Sequence, residues 1–143
     1  MQQPNNISPC YCNTLRRATR AVTGLYDRKL EPAGLTLPQL SLLRQLKKAG
    51  PLSITRLAEV VGLERTTLGR NMRPLEQAGL VESVASEVDA RERVVKVSRS
   101  GDQVMERAAP LWRKAQQAIE HRLGKDRVLL LREILVELET LRT

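Results

Sequence analysis

The sequence predicts a mostly α-helical fold with one small β-hairpin. Apolar residues recur every three or four positions over most of the 143-residue chain, which indicates amphipathic helices. One stretch, residues 80–97, instead has two short runs of β-branched residues around a charged centre, as expected for a hairpin. The core must be largely aliphatic, because the chain has one Trp, two Tyr and no Phe.

The first two helices have well-defined ends in the sequence. The first runs from about Tyr11 to Leu30, where a proline and a glycine soon follow. Thr36 and Gln39 have the spacing of a capping box, with a proline between them, which predicts that the second helix begins there. Gly50, followed by a proline, ends it.

Two short helices with a Gly-containing turn between them follow. Ser53 is a suitable N-cap for the first of these helices and Gly62 a suitable C-terminal stop. The second begins after Glu64 and ends at Gly79, with an apolar stripe at helical spacing. This arrangement is the helix-turn-helix pattern. The stripe consists of Leu68, Met72, Leu75 and Ala78.

The polar face of the second helix has side-chain types that are suited to contacts with DNA. Arginine pairs with guanine edges and asparagine with adenine, while threonine bonds phosphate or meets a thymine methyl group. We expect them to meet bases and phosphates in a major groove, with Arg73 on the backbone; the alternative is an ordinary solvated face. These residues are Arg65, Thr66, Thr67, Arg70, Asn71 and Arg73.

Three residues of the same helix are unusual. Glu64 is a poorer N-cap than a small polar residue. Gly69 lies mid-helix and costs about 1 kcal/mol relative to alanine. Pro74 cannot donate to the carbonyl of Arg70, which predicts a bend in the helix at that point.

Residues 80–84 and 94–97 are predicted to be the two strands of the hairpin, with a charged tip at residues 85–93. Arg91 and Arg93 are expected to reach the minor groove or the phosphates beside the helix. Asp89 is expected to hold Arg91 through a charge-assisted bond. The alternative is a charged tip that only keeps the hairpin soluble.

Two helices complete the chain. The fifth begins at Ser98 or Ser100 and continues to Leu123, and the sixth covers Asp126 to Leu141. The sixth helix is more apolar than one small domain needs, which favours a homodimer of interleaved terminal helices. The alternative is an intramolecular three-helix cap.

The predicted architecture is therefore a winged helix-turn-helix with N- and C-terminal dimerisation helices. The chain is expected to form a single domain over residues 1–143. Residues 36–99 are its DNA-binding part, and residues 10–32 and 100–143 are its dimerisation helices.

The net charge of +8 suits a polyanionic partner, although its distribution is uneven. Residues 1–52 have eight basic and two acidic residues, whereas residues 53–99 and 100–143 each have eight basic and seven acidic ones. The DNA prediction therefore depends on the placement of particular side chains. No apolar run is long enough for a membrane span and no secretory signal is evident, so a cytoplasmic protein is expected.

The sequence has no catalytic constellation, and an enzyme is not expected. The single His121 has no evident Ser or Cys partner. Together with Cys10 and Cys12 it lacks the spacing of a metal site, so neither a metal nor a cofactor is expected.

Several segments in this order resemble MarR-type winged helix-turn-helix regulators. The resemblance runs from about Cys12 to Leu141 and implies a dimeric transcription regulator that binds a near-palindromic operator. It also implies that Arg91 is the wing arginine of the family and that Asp89 is its partner. The matching segments are Leu57-Ala58, Gly62-Leu-Glu-Arg-Thr-Thr-Leu68, Leu75-Glu-Gln-Ala-Gly-Leu-Val81, Asp89-Ala-Arg91 and Ser98-Arg-Ser-Gly101.

The two cysteines allow a redox interpretation. Cys12 resembles the sensing cysteine of the organic-hydroperoxide branch of that family (OhrR), and Tyr26 matches a tyrosine of the branch. Two further tyrosines of the branch are replaced here by Arg16 and Leu37. Cys10 could act as a resolving thiol. The alternative is that both cysteines are small residues packed at a dimer interface.

The function expected from the sequence is that of a homodimeric, sequence-specific regulator of double-stranded DNA, most simply a repressor released by a signal. The signal is either a small-molecule effector bound between the dimer helices and the winged part, where Trp112 is a candidate wall residue, or oxidation of Cys12. A further alternative is a winged-helix protein-interaction module without specific DNA binding.

Overall fold

The structure, a computed structural model, describes residues 9–142. Within them the chain forms six α-helices and one two-stranded antiparallel sheet, in the order that the sequence predicts. The elements are α1 (Tyr11–Leu30), α2 (Leu37–Ala49), α3 (Ile54–Val61), α4 (Arg65–Gln77), β1 (Val81–Ala85), β2 (Arg93–Val97), α5 (Arg99–Leu123) and α6 (Lys125–Glu139).

The predicted caps of α2 and α3 are confirmed. The Thr36 hydroxyl accepts from the Gln39 amide at 3.4 Å, and the Gln39 side chain accepts from the Thr36 amide at 2.9 Å. Ser53 accepts from the Arg56 amide at 3.2 Å. Gly62 ends α3 with a φ of 71°, a left-handed conformation that glycine adopts without steric cost.

Some boundaries differ from the predicted ones. Ser98, and not Ser100, caps α5, because its hydroxyl accepts from the Gly101 amide at 3.1 Å. The first strand is shifted by one residue at both ends, the second begins one residue earlier, and α6 begins at Lys125 and ends at Glu139. A short 3₁₀ turn at Glu31–Ala33, which the sequence pattern does not predict, joins α1 to the loop before α2.

The core is aliphatic, as the composition predicts. It is formed by α2, α3 and α4 together with the second half of α1, the sheet and α5. Burying a side chain of this size contributes about 1.5–3 kcal/mol. The largest fully buried side chains are Leu30, Leu40, Leu43, Leu46, Leu57, Leu68, Met72 and Leu75.

The hairpin is attached to the helices at its base. Val81 pairs with Val97 and Ala85 with Arg93 in a regular antiparallel register. Leu52, in the loop between α2 and α3, exchanges two backbone hydrogen bonds with Val95 of β2, at 3.1 and 2.7 Å. This third strand-like segment fixes the direction in which the hairpin leaves the domain.

The terminal helices are joined by α5, which packs against α1 and α2 and then against α6. Every side chain of α6 is at least partly exposed, although most of them are apolar. The part of α1 from Tyr11 to Val22 is also open, with Leu15 41% and Val22 40% exposed. Across residues 9–142, none of the helices has the length and apolar character needed to cross a lipid bilayer.

Candidate DNA interface

The recognition helix α4 is fixed by one buried face. Leu68, Met72 and Leu75 are each no more than 1% exposed and pack into the core. Because they lie at positions i, i+4 and i+7, they determine which side of α4 faces outward. The helix continues through Pro74 as one element, and the bend predicted there remains a prediction.

Five of the six predicted DNA-contacting residues of α4 lie on the open face. Asn71 differs, because it is half-buried at the border of the core stripe. Its amide can therefore reach a base only from the edge of the helix. The five exposed residues are Arg65, Thr66, Thr67, Arg70 and Arg73.

The first turn of α4 has no side-chain cap. Glu64 has N-cap backbone geometry, with φ −68° and ψ 150°, but its carboxylate accepts no capping hydrogen bond. The first amides of a helix point outward and bind anions, and phosphate is an anion that suits them. The uncapped end of α4 thus adds hydrogen-bond donors to an already basic face.

The arginine side chains on this face, and that of Arg91 at the hairpin tip, form no ion pairs among residues 9–142. Within residues 9–142, the basic members of the ion pairs lie in other parts of the fold, and the guanidinium groups of Arg65, Arg70, Arg73 and Arg91 belong to no ion pair. The basic residues that do form ion pairs are Lys47, Arg56, Lys96 and Arg132.

The tip of the hairpin is a preformed turn. The Ser86 hydroxyl accepts from the amides of Val88 at 3.2 Å and Asp89 at 3.4 Å. The Asp89 carboxylate accepts from the backbone amide of Arg91 at 3.0 Å. These bonds satisfy backbone donors at the tip and leave the Arg91 side chain exposed.

The structure specifies how Asp89 holds Arg91. The carboxylate bonds the backbone amide of Arg91, and the ion pairs of residues 9–142 include no Asp89–Arg91 pair. Two residues of separation close an Asx turn most easily on the backbone. Asp89 therefore stabilises the backbone turn at Arg91 and makes no ion pair with the Arg91 guanidinium.

Arg93 also has a more specific arrangement than predicted. Its guanidinium donates to the Ser83 carbonyl at 2.7 Å and to the Ser83 hydroxyl at 3.3 Å, across the hairpin. Ser83 and Arg93 lie on opposite strands, so this pair stiffens the hairpin near its tip. The sequence does not reveal such a partner, because serine in a strand has no distinctive pattern.

Two contacts join α2, which packs against the helix-turn-helix, to α5. The Arg44 guanidinium lies 4.5 Å from the centroid of the Trp112 ring. Lys47, one turn further along α2, pairs with Asp102 at 2.9 Å. The sequence pattern does not single out Arg44 or Lys47, since their partners are more than fifty residues away and no local signal marks the pairing.

The cysteines are exposed at the start of α1. Tyr26 is distant from Cys12 within one chain, since fourteen residues of helix rise about 21 Å. The Tyr26 hydroxyl donates instead to the Gln116 side chain on α5. Across residues 9–142, the His, Cys, Asp and Glu side chains form no cluster suited to a metal ion.

A largely apolar cavity of about 440 Å³ lies where α1, α5 and α6 meet. Tyr26 and Gln116 form one polar part of its wall, and Glu120 and Arg132, 3.9 Å apart, form another. Leu37, the first residue of α2, also lines it. Trp112 is not among the residues that line this cavity; its ring lies beneath Arg44, between α2 and α5.

Comparisons with known proteins agree with this arrangement. The MarR family model matches residues 35–93. The HTH-type transcriptional regulator FarR of Neisseria gonorrhoeae is 30% identical over 124 residues, covering 87% of this chain and 85% of that protein.

Solved structures give the same result. The M. tuberculosis transcriptional regulator MosR, crystallised with DNA, is 34% identical with a TM-score of 0.73, over 94% of this chain and 99% of that chain. A probable transcriptional regulator from Pseudomonas aeruginosa has a TM-score of 0.82 at 23% identity, over 91% and 97% of the chains, and supports the fold.

The chain has a winged helix-turn-helix with an open basic recognition face, and transcriptional regulators match it over most of its length. The chain belongs to the MarR family of DNA-binding transcriptional regulators and is not an enzyme.

Proposed function

We propose that this protein is a homodimeric regulator that binds a near-palindromic site in double-stranded DNA and acts as a repressor released by a signal. One observation carries the proposal: α4 is anchored by three buried side chains and presents unpaired guanidinium groups on its open face. The similar regulator MosR was crystallised with DNA, which supports the same partner for this chain.

The proposed contacts follow from exposure and chemistry. Arg65, Thr66, Thr67 and Arg70 meet bases and phosphates in the major groove, Asn71 contacts a base from the edge of α4, and Arg73 binds the backbone. Arg91 reaches the minor groove or the phosphates from the hairpin tip. Arg93 supports that tip through Ser83.

The homodimer is inferred from the exposed apolar helices. The apolar side chains of α6 are all at least partly exposed, and an apolar surface of this kind is stabilised in water when a neighbour covers it. A two-fold dimer would hold two copies of α4 about 34–36 Å apart, which matches one turn of DNA. An inverted repeat is the corresponding operator.

In vitro selection from a randomised DNA duplex library tests this function. The expected result is an enriched inverted repeat with half-site centres one helical turn apart, bound at least about 10³-fold more tightly than random duplex. A reporter fused to the selected site should be silenced by the protein. Weak binding without sequence preference at physiological salt would instead identify a protein-interaction module.

Two candidate signals for release can be separated by one experiment. Both cysteines are exposed and open to a peroxide, whereas the cavity between α1, α5 and α6 has a volume suited to a small molecule. DNA binding is measured before and after mild organic peroxide, in the parent and in Cys12→Ser. Loss of binding in the parent alone identifies oxidation, and indifference to the oxidant directs the search to a cavity ligand.

A further inference from the structure

Pro74 leaves one backbone acceptor of α4 without its usual donor. In a regular α-helix the amide of residue 74 donates to the carbonyl of residue 70, but Pro74 lies inside α4 and has no N–H. A carbonyl that lacks its helical donor bonds water or another group instead. The Arg70 carbonyl is therefore available as a hydrogen-bond acceptor in the middle of the helix.

This acceptor lies on the face of α4 that is proposed to meet DNA. Arg70 and Pro74, one helical turn apart, are both exposed, whereas Leu68, Met72 and Leu75 form the buried face. A helical carbonyl points along the axis toward the residue four positions later, so the Arg70 oxygen lies between two exposed residues. Water reaches this oxygen in the free protein, and DNA covers it once α4 lies in a major groove.

Gly69 allows DNA to approach the backbone of α4 closely. Backbone oxygens lie inside the cylinder that side chains occupy, so a base edge reaches them only where nearby side chains are short or can move aside. Gly69 is exposed, and an added Cβ would meet no atom within 4 Å. An open groove of about 560 Å³ runs along this part of the helix, and Thr66, Gly69, Arg70 and Pro74 are among the residues that line it.

Only two of the four bases can donate to a carbonyl from the major groove. Cytosine presents its N4 amine there and adenine its N6 amine, whereas guanine and thymine present oxygen acceptors. A carbonyl that faces another oxygen loses its water without gaining a hydrogen bond, which penalises binding. An exposed backbone acceptor on a recognition helix can therefore distinguish bases by their exocyclic amines.

We propose that the Arg70 carbonyl accepts a hydrogen bond from the exocyclic amine of a cytosine or an adenine and so determines the base at one position of each half-site. The guanidinium of the same residue is a donor and selects acceptor edges, so the two groups of Arg70 read different bases. This inference rests on the proposed DNA-binding function. It also gives Pro74 and Gly69, which both weaken α4 as a helix, a common role.

Removal of single amines from the selected DNA site tests the contact. Each cytosine of one half-site is replaced in turn by 2-pyrimidinone and each adenine by unsubstituted purine, the analogues that lack the amine. Fluorescence anisotropy should show about tenfold weaker binding of the parent at the position that the carbonyl reads. Whether that position holds cytosine or adenine identifies the donor.

Two variants at position 74 separate this effect from the weaker base pair that each analogue makes. Pro74→Ala restores the N–H that bonds the Arg70 carbonyl within the helix, so this variant should no longer distinguish the base from its amine-free analogue. Pro74→lactic acid has the side chain of alanine but an ester oxygen in place of the N–H. It should distinguish the two duplexes as the parent does, because its Arg70 carbonyl again lacks the helical donor.

Arg73→Ala is the matched control on the same helix. It removes a proposed phosphate contact and leaves both Pro74 and the Arg70 carbonyl unchanged. Binding should therefore weaken on every duplex by the same factor, and the tenfold effect of the missing amine should remain. Helix content by circular dichroism and thermal unfolding check that each variant is folded.

The outcomes separate this inference from the proposed function. If the parent binds every amine-free duplex as tightly as the unmodified site, the carbonyl contact is wrong while sequence-specific DNA binding stands. If Pro74→Ala responds to the missing amine as strongly as the parent, another group reads that base and the inference is also overturned. If selection enriches no site at all, the proposed function itself fails.

Discussion

The Arg44 guanidinium stacks over the Trp112 ring, 4.5 Å from its centroid, and links α2 to α5. Both residues are half-buried, so water weakens the attraction only in part. Because α2 packs against the helix-turn-helix and α5 packs against both terminal helices, this contact connects the DNA-binding part of the molecule with its terminal helices.

Replacing Arg44 by alanine should lower the free energy of unfolding by about 1 kcal/mol, because the cation–π contact and its apolar stem packing are both lost. Urea unfolding followed by the fluorescence of Trp112 measures this directly, since the chain has one Trp. Arg44→Lys should recover part of the loss. A fully parental stability in the alanine variant would show that the stacking contributes nothing.

Arg70→Ala and Arg91→Ala should weaken DNA binding in different ways. Loss of a base-contacting Arg70 should cost about 1–3 kcal/mol and relax preference at one position of the selected site. Loss of Arg91 should weaken binding about equally on all sequences and reduce the salt slope by about 1. Fluorescence anisotropy on matched and mismatched duplexes at several salt concentrations distinguishes the two patterns.

Asp89→Asn should strengthen DNA binding, whereas Asp89→Ala should weaken it. An asparagine oxygen can still accept from the Arg91 amide, so Asp89→Asn keeps the turn and removes a negative charge near the phosphates. Asp89→Ala loses the turn bond and should bind DNA more weakly. Equal weakening in both variants would instead support a role for the charge of Asp89 on the Arg91 guanidinium.

Gly69 and Gly101 should respond differently to alanine. A Cβ atom on Gly101 would lie 2.2 Å from the Leu80 carbonyl oxygen and 2.7 Å from the Val97 side chain, so Gly101→Ala should destabilise the fold by about 1–3 kcal/mol. A Cβ on Gly69 meets no atom within 4 Å. Gly69→Ala should therefore raise stability by about 0.5–1 kcal/mol.

Thermal unfolding of the two glycine variants at equal protein concentration checks both signs. If Gly69→Ala is more stable but binds DNA poorly, the absent side chain makes room for DNA. A stable Gly101→Ala would mean that α5 can move away from the hairpin without cost.

Local patterns predict the scaffold, because capping and periodicity depend on neighbouring residues. The spacing of Thr36 and Gln39 alone predicts the start of α2, and the alternation in the hairpin predicts strands within one residue of their observed ends. The acceptor for Arg93 and the stacking of Arg44 on Trp112 could not be predicted. These contacts depend on how separate elements meet, which periodicity does not encode.

The same distinction applies to the candidate site. The open face of α4 follows from the apolar stripe on its other side. The half-buried position of Asn71 and the backbone bond of Asp89 depend on side-chain conformation. Several conformations are compatible with the sequence, so the sequence alone does not predict these two features. Residue type therefore predicts which face is exposed, and the structure shows the contacts that its residues make within the chain.

Tyr26 should make stability depend on pH in the alkaline range. Burial raises the pKa of the Tyr26 hydroxyl, the Glu120 carboxylate raises it further, and Arg132 opposes them. The folded state therefore holds the phenolic proton more tightly than the unfolded chain does. The resulting stability is complete below the unfolded pKa of about 10 and is lost as pH rises through the folded pKa.

Comparison with Tyr26→Phe isolates this contribution. At neutral pH the parent should be more stable, because Phe cannot donate to the Gln116 side chain. As pH rises above about 10, ionisation removes the same donor from the parent, and the two unfolding free energies should converge. Denaturant unfolding at one protein concentration over this pH range measures the difference, and a gap that stays constant would contradict the assignment.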